Sequence, residues 1–223
     1  MKKNKQLVIF GLGETATLAY HYFKDDSPYK VVGFCVDSEF FYEDKHLELP
    51  VVKFEDLTIK FPPKEYCLFV ALSSIKLNTI RAKKYNEFKQ LGYEMASYIS
   101  SKAYIGHNTT IGENCFILED NTIQPYVTIG NDVFMWSGNH IGHRDVIKDH
   151  CFITSHVVVS GFTVIGENSY IGVNSSITEG ITIGDFCLIG LGSIIHKDTP
   201  PYSIYKQEYA KKQMITTKQL YNI

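Results

Sequence analysis

Histidines are concentrated in one short segment of this 223-residue chain. Half of them lie close together, at His140, His143, His150 and His156. An imidazole titrates near neutral pH, so it can take a proton from an attacking amine or hydroxyl group and pass it to a leaving group. The segment therefore predicts a site of general acid–base chemistry, although a solvated turn of unusual composition is the alternative.

A six-residue repeat must position this segment. An apolar side chain recurs at every sixth residue from Ile99 to Ile195, and it is Ile in fifteen of the seventeen hexads. A period of six fits neither a helix nor a simple strand, so it predicts a coil with one apolar side chain per flat side. With that side chain counted as position one, Asn139 and Asp145 stand at position five, where small residues otherwise dominate. Inward polar groups cost free energy unless they are hydrogen-bonded, so these two are predicted to orient other groups.

The repeat also predicts which residues lie above one another. If one turn takes three hexads, residues 18 apart stack about 4.8 Å from each other, which puts Gly161 one turn above His143. Cys115, Cys151 and Cys187 stand at position five, two turns apart, and their separation of about 9.6 Å exceeds the ~7 Å limit for a disulfide. We expect these cysteines to fill a column of small side chains.

The first 98 residues have a different pattern, which predicts a small α/β domain. Apolar segments predict strands at 6–10, 31–36 and 66–72. A helix is expected after the first strand, to about residue 24, and another over 76–91, with Gly92 as its stop. Strand, glycine turn, helix, strand and acid form half of a doubly wound nucleotide fold, so we expect one nucleotide rather than a dinucleotide.

The glycine turn and the strand ends carry the predicted nucleotide contacts. Gly11 and Gly13 would let the backbone approach a phosphate at the helix N-terminus, and Asp37 could accept a hydrogen bond from a ribose hydroxyl. Ser73 follows the third strand at the same edge of the sheet. The alternative is a tight strand-to-helix turn in a vestigial domain, with Asp37 merely ending a strand.

Residues 99–195 resemble the left-handed parallel β-helix of hexapeptide acyltransferases. With the nucleotide-binding domain in front, nearly the whole chain is similar to sugar acyltransferases of the NeuD/PglD type. The resemblance implies a homotrimer with active sites between neighbouring coils, acetyl-CoA as co-substrate and no metal. It also implies acylation of the amino group of a nucleotide-linked amino sugar, for surface glycan biosynthesis. Because some relatives modify sugar hydroxyls, O-acetylation is the alternative.

The resemblance also assigns the catalytic residues. His143, four residues before Ile147, matches the catalytic histidine of the family, and Gly161 matches its oxyanion donor. A glycine lets an acyl thioester approach closely, and its N–H can hold the oxyanion of a tetrahedral intermediate. The family often has an acid directly after the histidine, whereas this chain has Arg144. The group that supports the histidine therefore stays open.

Further residues are expected to contact the substrates. Asn139 and His140 would line the acceptor pocket, although a structural role for His140 is equally compatible with its place. Glu14 and Thr15 stand in the first glycine loop, where many relatives have a histidine, so the acceptor sugar stays open. By resemblance, the coenzyme arm would run along the coil past Phe152, Gly161, Val173 and Leu191.

Two other classes of function remain as alternatives. The γ-class carbonic anhydrases share the coil and bind zinc through three histidines, and His107 lies two turns before His143 as such a site requires. Lys148, however, stands where a further histidine ligand is needed, and a charged lysine is not a zinc ligand. The second alternative is a nucleotide-binding scaffold without catalysis, against which the clustered histidines argue.

Composition limits the remaining possibilities. The net charge is −2 with both signs mixed, so no nucleic acid or anionic membrane is expected as a partner. No apolar run approaches the roughly 18 residues of a membrane span, and we therefore expect a cytoplasmic protein. The predicted domains are 1–98, a nucleotide-binding domain, and 99–198, the acyltransferase coil. The tail, 199–223, is expected to cap the last turn or to pack on a neighbouring subunit.

Overall fold

An α/β domain and a parallel β-helix make up the structure, in the order that the sequence predicts. The structure is a computed structural model and describes residues 5–208, 210–221 and 223. Residues 1–4, 209 and 222 belong to the predicted first domain and tail, and they lie outside the described residues.

Apolar strands alternating with helices build the N-terminal domain. Its elements are β1 Lys5–Phe10, α1 Glu14–Asp25, β2 Tyr29–Val36, β3 Lys45–His46, β4 Leu49–Lys53, α2 Leu57–Lys60, β5 Tyr66–Val70, α3 Thr79–Gln90 and β6 Glu94–Met95. The sheet order is β3-β4-β2-β1-β5-β6, and only the β3–β4 pair is antiparallel. The three predicted strands and two long helices are confirmed. The expected helix start at residue 76 is wrong, because Lys76, Leu77 and Asn78 have φ between 48° and 64°. Gly92, with φ +86°, follows α3 as predicted.

Two-residue strands at positions six and one of each hexad build the coil. In chain order they are β7 Tyr98–Ile99, β8 Tyr104–Ile105, β9 Thr110–Ile111, β10 Phe116–Ile117, β11 Thr122–Ile123, β12 Thr128–Ile129, β13 Phe134–Met135, β14 His140–Ile141, β15 Val146–Ile147, β16 Phe152–Ile153, β17 Val158–Val159, β18 Val164–Ile165, β19 Tyr170–Ile171, β20 Ser176–Ile177, β21 Thr182–Ile183, β22 Leu188–Ile189, β23 Ile194–Ile195 and β24 Ile204–Tyr205. Phe116 pairs in parallel with both Tyr98 and Phe134. From β7 to β23 the strands that pair are three apart in chain order, which confirms three hexads per turn, whereas β24 lies outside the hexad frame and pairs with β22.

The strands stack into three flat faces. The first face runs from β7 to β24 through β10, β13, β16, β19 and β22; the second contains β8, β11, β14, β17, β20 and β23; the third contains β9, β12, β15, β18 and β21. The turn residues between successive strands form three edges. We call the edge between the first and second faces edge 1, that between the second and third edge 2, and that between the third and first edge 3.

The apolar frame fills the axis of the coil. Its side chains are buried from Ile117 to Ile195, whereas Ile99 at the open end of the first turn is 38% exposed. All five cysteines are free and buried, and three of them belong to the core of the coil, so the predicted column of small side chains is confirmed. A packed axis fixes the register, and with it the edge on which each turn residue lies.

The N-terminal domain packs on the first face of the coil. The outward rings of this face form one buried cluster with β1, β2 and β5, in which Phe69 stacks on Phe134 at 5.7 Å. Arg81 of α3 is completely buried and donates to Asp132 Oδ1 at 2.9 Å, with its guanidinium 4.1 Å from the Phe134 ring. The carboxylate of Asp132 also contacts His150 Nδ1 at 2.9 Å. This buried network joins the two domains.

The chain makes one further turn after residue 198. Ile204 pairs with Leu188 in β22, so part of the predicted tail continues the first face. The described residues after Tyr205 are exposed and end in a short helix, α4 Thr217–Tyr221.

Candidate functional site

His143 lies on edge 2, in the turn between β14 and β15, and is exposed. Its backbone N–H donates to Gln124 Oε1 at 2.8 Å, and its Nδ1 lies 3.2 Å from the same oxygen. Since an amide oxygen only accepts, this contact favours the tautomer with the proton on Nδ1 and leaves Nε2 free to accept a proton. The imidazole also meets the edge of the Phe162 ring at 4.9 Å.

Gly161 lies directly against this imidazole. A Cβ at position 161 would lie 2.8 Å from His143 Cε1 and 2.9 Å from Nδ1, so a larger residue would displace the imidazole from this position. The next amide, of Phe162, donates to the His143 carbonyl at 3.0 Å and holds the two turns in register. The predicted stacking of residues 143 and 161 on one edge is confirmed, while their catalytic roles stay predictions.

The Gly161 amide is available as a donor. Within residues 5–208 no hydrogen bond of this N–H to the protein is found, while its carbonyl accepts from Gly180 at 3.0 Å. Other amides at position three are also unpaired. What distinguishes Gly161 is therefore its contact with the His143 ring, which places a free donor beside a free base.

The sequence gives no indication that Gln124 supports His143. It lies one position away from the residue that stacks directly below the histidine, and an amide next to a histidine has no signature in the sequence. Arg144, which replaces the acid of the related family, has φ +62° and lies over the Tyr126 ring at 4.6 Å. It thus turns towards an aromatic ring.

Asp145 points into the coil, as its register predicts. It is completely buried, and its Oδ1 accepts from the Thr163 amide at 2.9 Å. Its Oδ2 has no hydrogen-bond partner in the described part of the chain. Burial raises the pKa of Asp145 to about 7, although backbone amides of Thr163 and Gly142 act in the opposite direction.

The other polar residues of the histidine-rich segment are spread over the coil. Asn139 is buried and bonds only within the coil, to Asn121, Trp136 and the Val157 amide, so its position does not support direct contact with a substrate. His140 is half-buried on the outside of the second face. His150 belongs to the domain interface, and His156 lies against Gly138 on edge 1.

The residues expected to contact the coenzyme do not share one edge. Val173 and Leu191 are exposed, and both lie on edge 1, whereas Gly161 lies on edge 2. Phe152 is only 5% exposed and stacks on Tyr170 in the domain interface. Its expected place along a coenzyme is not supported, because the N-terminal domain covers the first face.

The predicted nucleotide contacts meet at one edge of the N-terminal sheet. Gly11, Asp37 and Ser73 follow the adjacent parallel strands β1, β2 and β5. Gly11 has φ +119°, and a Cβ there would lie 3.1 Å from the Ala71 carbonyl oxygen, so glycine is required. Gly13 is the N-cap of α1 without a side-chain cap. The first turn, Glu14 and Thr15, therefore presents free amides that suit an anion.

Lys84 is a further charged group at this edge that the sequence did not indicate. Its Nζ lies 2.6 Å from Asp37 Oδ1 and 2.9 Å from Glu87 Oε2. Burial lowers the pKa of Lys84, but its hydrogen bonds with Asp37 and Glu87 outweigh burial and hold that pKa above its ordinary value. A ribose hydroxyl at Asp37 would share the carboxylate with this ammonium group.

Three further features concern the residues that the structure describes. No group of three or more His, Cys, Asp or Glu side chains there could hold a metal ion. None of the helices found in that part of the chain is both long and apolar enough to cross a membrane. A cleft of 740 Å³ lies between α1 and the start of the coil, lined by residues such as Tyr22, Asp26 and Glu119 and not by His143.

Comparison with known proteins identifies the fold. The family model described as the hexapeptide repeat of succinyl-transferase matches residues 162–197. No curated protein sequence matches the chain. The acetyltransferase domain of PglB from Neisseria gonorrhoeae superposes with a TM-score of 0.80 at 21% identity, over 90% of this chain and 96% of that one.

Two further solved structures agree. PerB from Caulobacter crescentus, in complex with CoA and GDP-perosamine, gives a TM-score of 0.79 at 20% identity, over 89% of this chain and 92% of that one. WeeI from Acinetobacter baumannii superposes with a TM-score of 0.60 at 18% identity, over 90% of this chain and 96% of that one. These TM-scores establish the fold class, a small N-terminal α/β domain followed by a left-handed parallel β-helix, which the chain shares with these solved structures.

Proposed function

We propose that the chain transfers an acetyl group from acetyl-CoA to the amino group of a nucleotide-linked amino sugar. The contact between the His143 imidazole and Gly161, with its unpaired amide, on an exposed edge of a β-helix carries this proposal. The fold adds support, since the similar structures include a PglB domain in complex with acetyl coenzyme A and PerB with CoA and GDP-perosamine.

The residues of edge 2 can perform each step of such a transfer. Nε2 of His143 takes a proton from the attacking amine while Gln124 holds the proton on Nδ1. The amine nitrogen bonds to the thioester carbonyl carbon, and the Gly161 N–H stabilises the oxyanion that forms. The carbon–sulfur bond then breaks, and the imidazolium returns the proton to the departing thiolate.

The acceptor would bind through its nucleotide at the N-terminal domain. The α1 N-terminus would hold a phosphate, and Asp37 a ribose hydroxyl, with Lys84 supplying a positive charge nearby. Glu14 and Thr15 stand next to the phosphate position, so they would face the adjoining sugar. The reaction would belong to the synthesis of surface glycans, and the cytoplasmic location expected from the sequence stays a prediction.

The distribution of residues over the edges favours assembly into a trimer. His143 lies on edge 2 and the exposed coenzyme residues Val173 and Leu191 lie on edge 1, so one coil cannot bring them to a single cleft. A neighbouring copy that places its edge 1 against edge 2 of the first would do so. The second face lies between these edges and exposes Val158 and Ile194, the latter by 73%, which suits an apolar contact between copies.

The test is release of free thiol from acetyl-CoA in the presence of UDP-, dTDP- or GDP-linked amino sugars. We expect turnover with an amino sugar and an acetamide product by mass spectrometry. Matched sugars with a hydroxyl in place of the amine serve as the comparison. Turnover of these alone would replace N-acetylation by O-acetylation, and no turnover with any acceptor would refute the proposal. Sedimentation of the same protein tests the trimer.

A further inference from the structure

Asp145 stands at a position of the coil that otherwise donates hydrogen bonds. Six hydroxyl or thiol side chains at position five each donate to the position-two carbonyl oxygen of the next turn, at 2.9 to 3.2 Å: Thr109, Cys115, Cys151, Thr163, Ser169 and Ser175. Asn121, which has the same shape as aspartate, donates to the Trp136 carbonyl in the same way at 2.9 Å. Position five therefore faces an acceptor.

Asp145 repeats the geometry of Asn139 with one atom exchanged. Asn139 Oδ1 accepts from the Val157 amide, one turn later, at 2.8 Å and turns its Nδ2 towards the position-two carbonyl of Trp136. Asp145 Oδ1 likewise accepts from the Thr163 amide, one turn later, at 2.9 Å. Its Oδ2 therefore takes the place of the asparagine N–H groups. A carboxylate oxygen there would face carbonyl oxygens, with no hydrogen between them.

The repeat offers Asp145 two carbonyls: that of Gly142 in its own turn, by the register of Asn139 and Trp136, and that of Ser160 in the next turn, by the register of Asn121 and Trp136. Among the residues that the structure describes, no donor to the Ser160 carbonyl is found, and Asp145 Oδ2 is likewise unpartnered. The other candidate, the Gly142 carbonyl, already accepts from the Asp145 amide at 3.3 Å. Asp145 is completely buried and Ser160 half-buried, and two acceptors without donors cost free energy there unless a proton lies between them.

We infer that Asp145 is held as a neutral carboxylic acid whose Oδ2–H donates to the Ser160 carbonyl. The Ser160 carbonyl and the Gly161 N–H are the two ends of one planar peptide group. A donor on the carbonyl inside the coil therefore orients the N–H on the outside and strengthens it as a donor. Resting on the function proposed above, Asp145 is a positioning residue for the oxyanion donor.

The surroundings of Asp145 agree with a neutral acid. Burial raises its pKa to about 7. The residues one turn below and above it, Val127 and Thr163, carry no charge, and its neighbours His143 and Arg144 turn outward to Phe162 and Tyr126. Within the described residues, no cation is in place to favour the ionised form.

The first test is the pH dependence of turnover in Asp145→Asn. Its amide donates to Ser160 at every pH, whereas wild-type Asp145 loses its proton above about pH 7. We expect wild-type kcat to fall several-fold between pH 7 and 9, and kcat of the variant to hold, with little change in either KM. Asp149→Asn is the matched control: it removes one carboxylate from edge 3, which we expect to leave the wild-type profile unchanged. Superimposable profiles for wild type and D145N would overturn the inference, as would loss of activity in D145N at all pH values.

The second test does not depend on turnover. Carbon-13 NMR of aspartate carboxyls in the whole protein should show one resonance that titrates near pH 7 and is missing in D145N. The folded protein then keeps a proton that the unfolded chain releases near pH 4. The thermal stability of the wild type should therefore fall relative to that of D145N as the pH rises from about 4 to 7, and the difference should stay constant above pH 7. A carboxyl that titrates near 4 would refute the neutral acid even if turnover were found. Titration near 7 without turnover would refute the proposed function and leave the protonated acid standing.

Discussion

Substitution of Gly161 by alanine tests the arrangement of edge 2 most directly. The added Cβ would lie 2.8 Å from His143 Cε1, whereas ordinary contact begins at 3.4 Å, so the ring must retreat by about 0.6 Å (3.4 − 2.8). A retreat of this size can stretch the 3.2 Å contact between Nδ1 and Gln124 beyond hydrogen-bond length. The base would then lose both its place beside the oxyanion donor and its fixed tautomer.

The expected effect follows from the sensitivity of transfer reactions to position. A misplacement of about 1 Å lowers rates roughly 100-fold, so we expect kcat of Gly161→Ala to fall about 10- to 100-fold. The KM for acetyl-CoA should change much less. Overpacking should also lower the free energy of unfolding by about 1–3 kcal/mol.

Thiol release with the preferred amino sugar measures these constants, and two controls separate position from stability. Gly92, unlike Gly161, has positive φ, and a Cβ added there would meet no atom within 4 Å, so Gly92→Ala should lower stability through backbone strain alone and leave kcat unchanged. In a His143→Ala background the clash with the ring is absent and only the 3.0 Å contact with the carbonyl oxygen of residue 143 remains, so Gly161→Ala should lower kcat little further. Full activity of Gly161→Ala, or additive effects in the double variant, would refute the reasoning.

Four further substitutions test the roles assigned above. His143→Ala should lower kcat about 10²- to 10⁴-fold in the thiol assay, the usual contribution of a general base, and near-wild-type turnover would remove it from this role. Gln124→Glu places a carboxylate beside Nδ1, so the acidic limb of the kcat/KM profile should move to higher pH by up to about one unit, and an unmoved limb would contradict the contact. Asp37→Ala should raise the KM of the nucleotide sugar far more than that of acetyl-CoA, and equal changes would argue against a nucleotide site there. Arg81→Leu takes the guanidinium away from the buried Asp132 carboxylate, which keeps only Asn114 and His150 as side-chain partners, and should lower the free energy of unfolding by about 3–5 kcal/mol in denaturant titrations; a loss below about 1 kcal/mol would contradict a joined domain interface.

The coil was predictable from the sequence because its period is independent of context. Each hexad must place one apolar side chain on the axis, so the count from Ile99 fixes faces, edges and the stacking of residue 161 on residue 143. The same arithmetic predicts that Asp145 points inward. Packing of the first face against another domain cannot be counted in this way, which is why Phe152 was expected beside a coenzyme and lies in the domain interface.

Contacts between side chains of different elements could not be predicted from the sequence. Gln124 reaches His143 across one turn, Lys84 reaches Asp37 from another element, and Arg81 reaches Asp132 across the domain boundary. Each contact depends on the direction of a long side chain and on a separation that no motif encodes. Within the histidine-rich segment, only packing separates His143, which lies on an exposed edge, from His150, which belongs to the domain interface.

A buried aspartate lowers the stability of so regular a coil. Val127, one turn below, shows that an apolar side chain fits the column, and Asn121 shows that an amide satisfies the same carbonyls. A pKa raised from 3.8 to about 7 corresponds to a loss of roughly 4 kcal/mol of stability above pH 7, relative to a group without such a shift. Departures from a local rule that reduce stability concentrate where function requires them. The one position-five carboxylate in hexads 99 to 195 lies beneath the edge that holds His143 and Gly161, and this coincidence makes edge 2, rather than edge 1 or edge 3, the place where the chemistry should be sought.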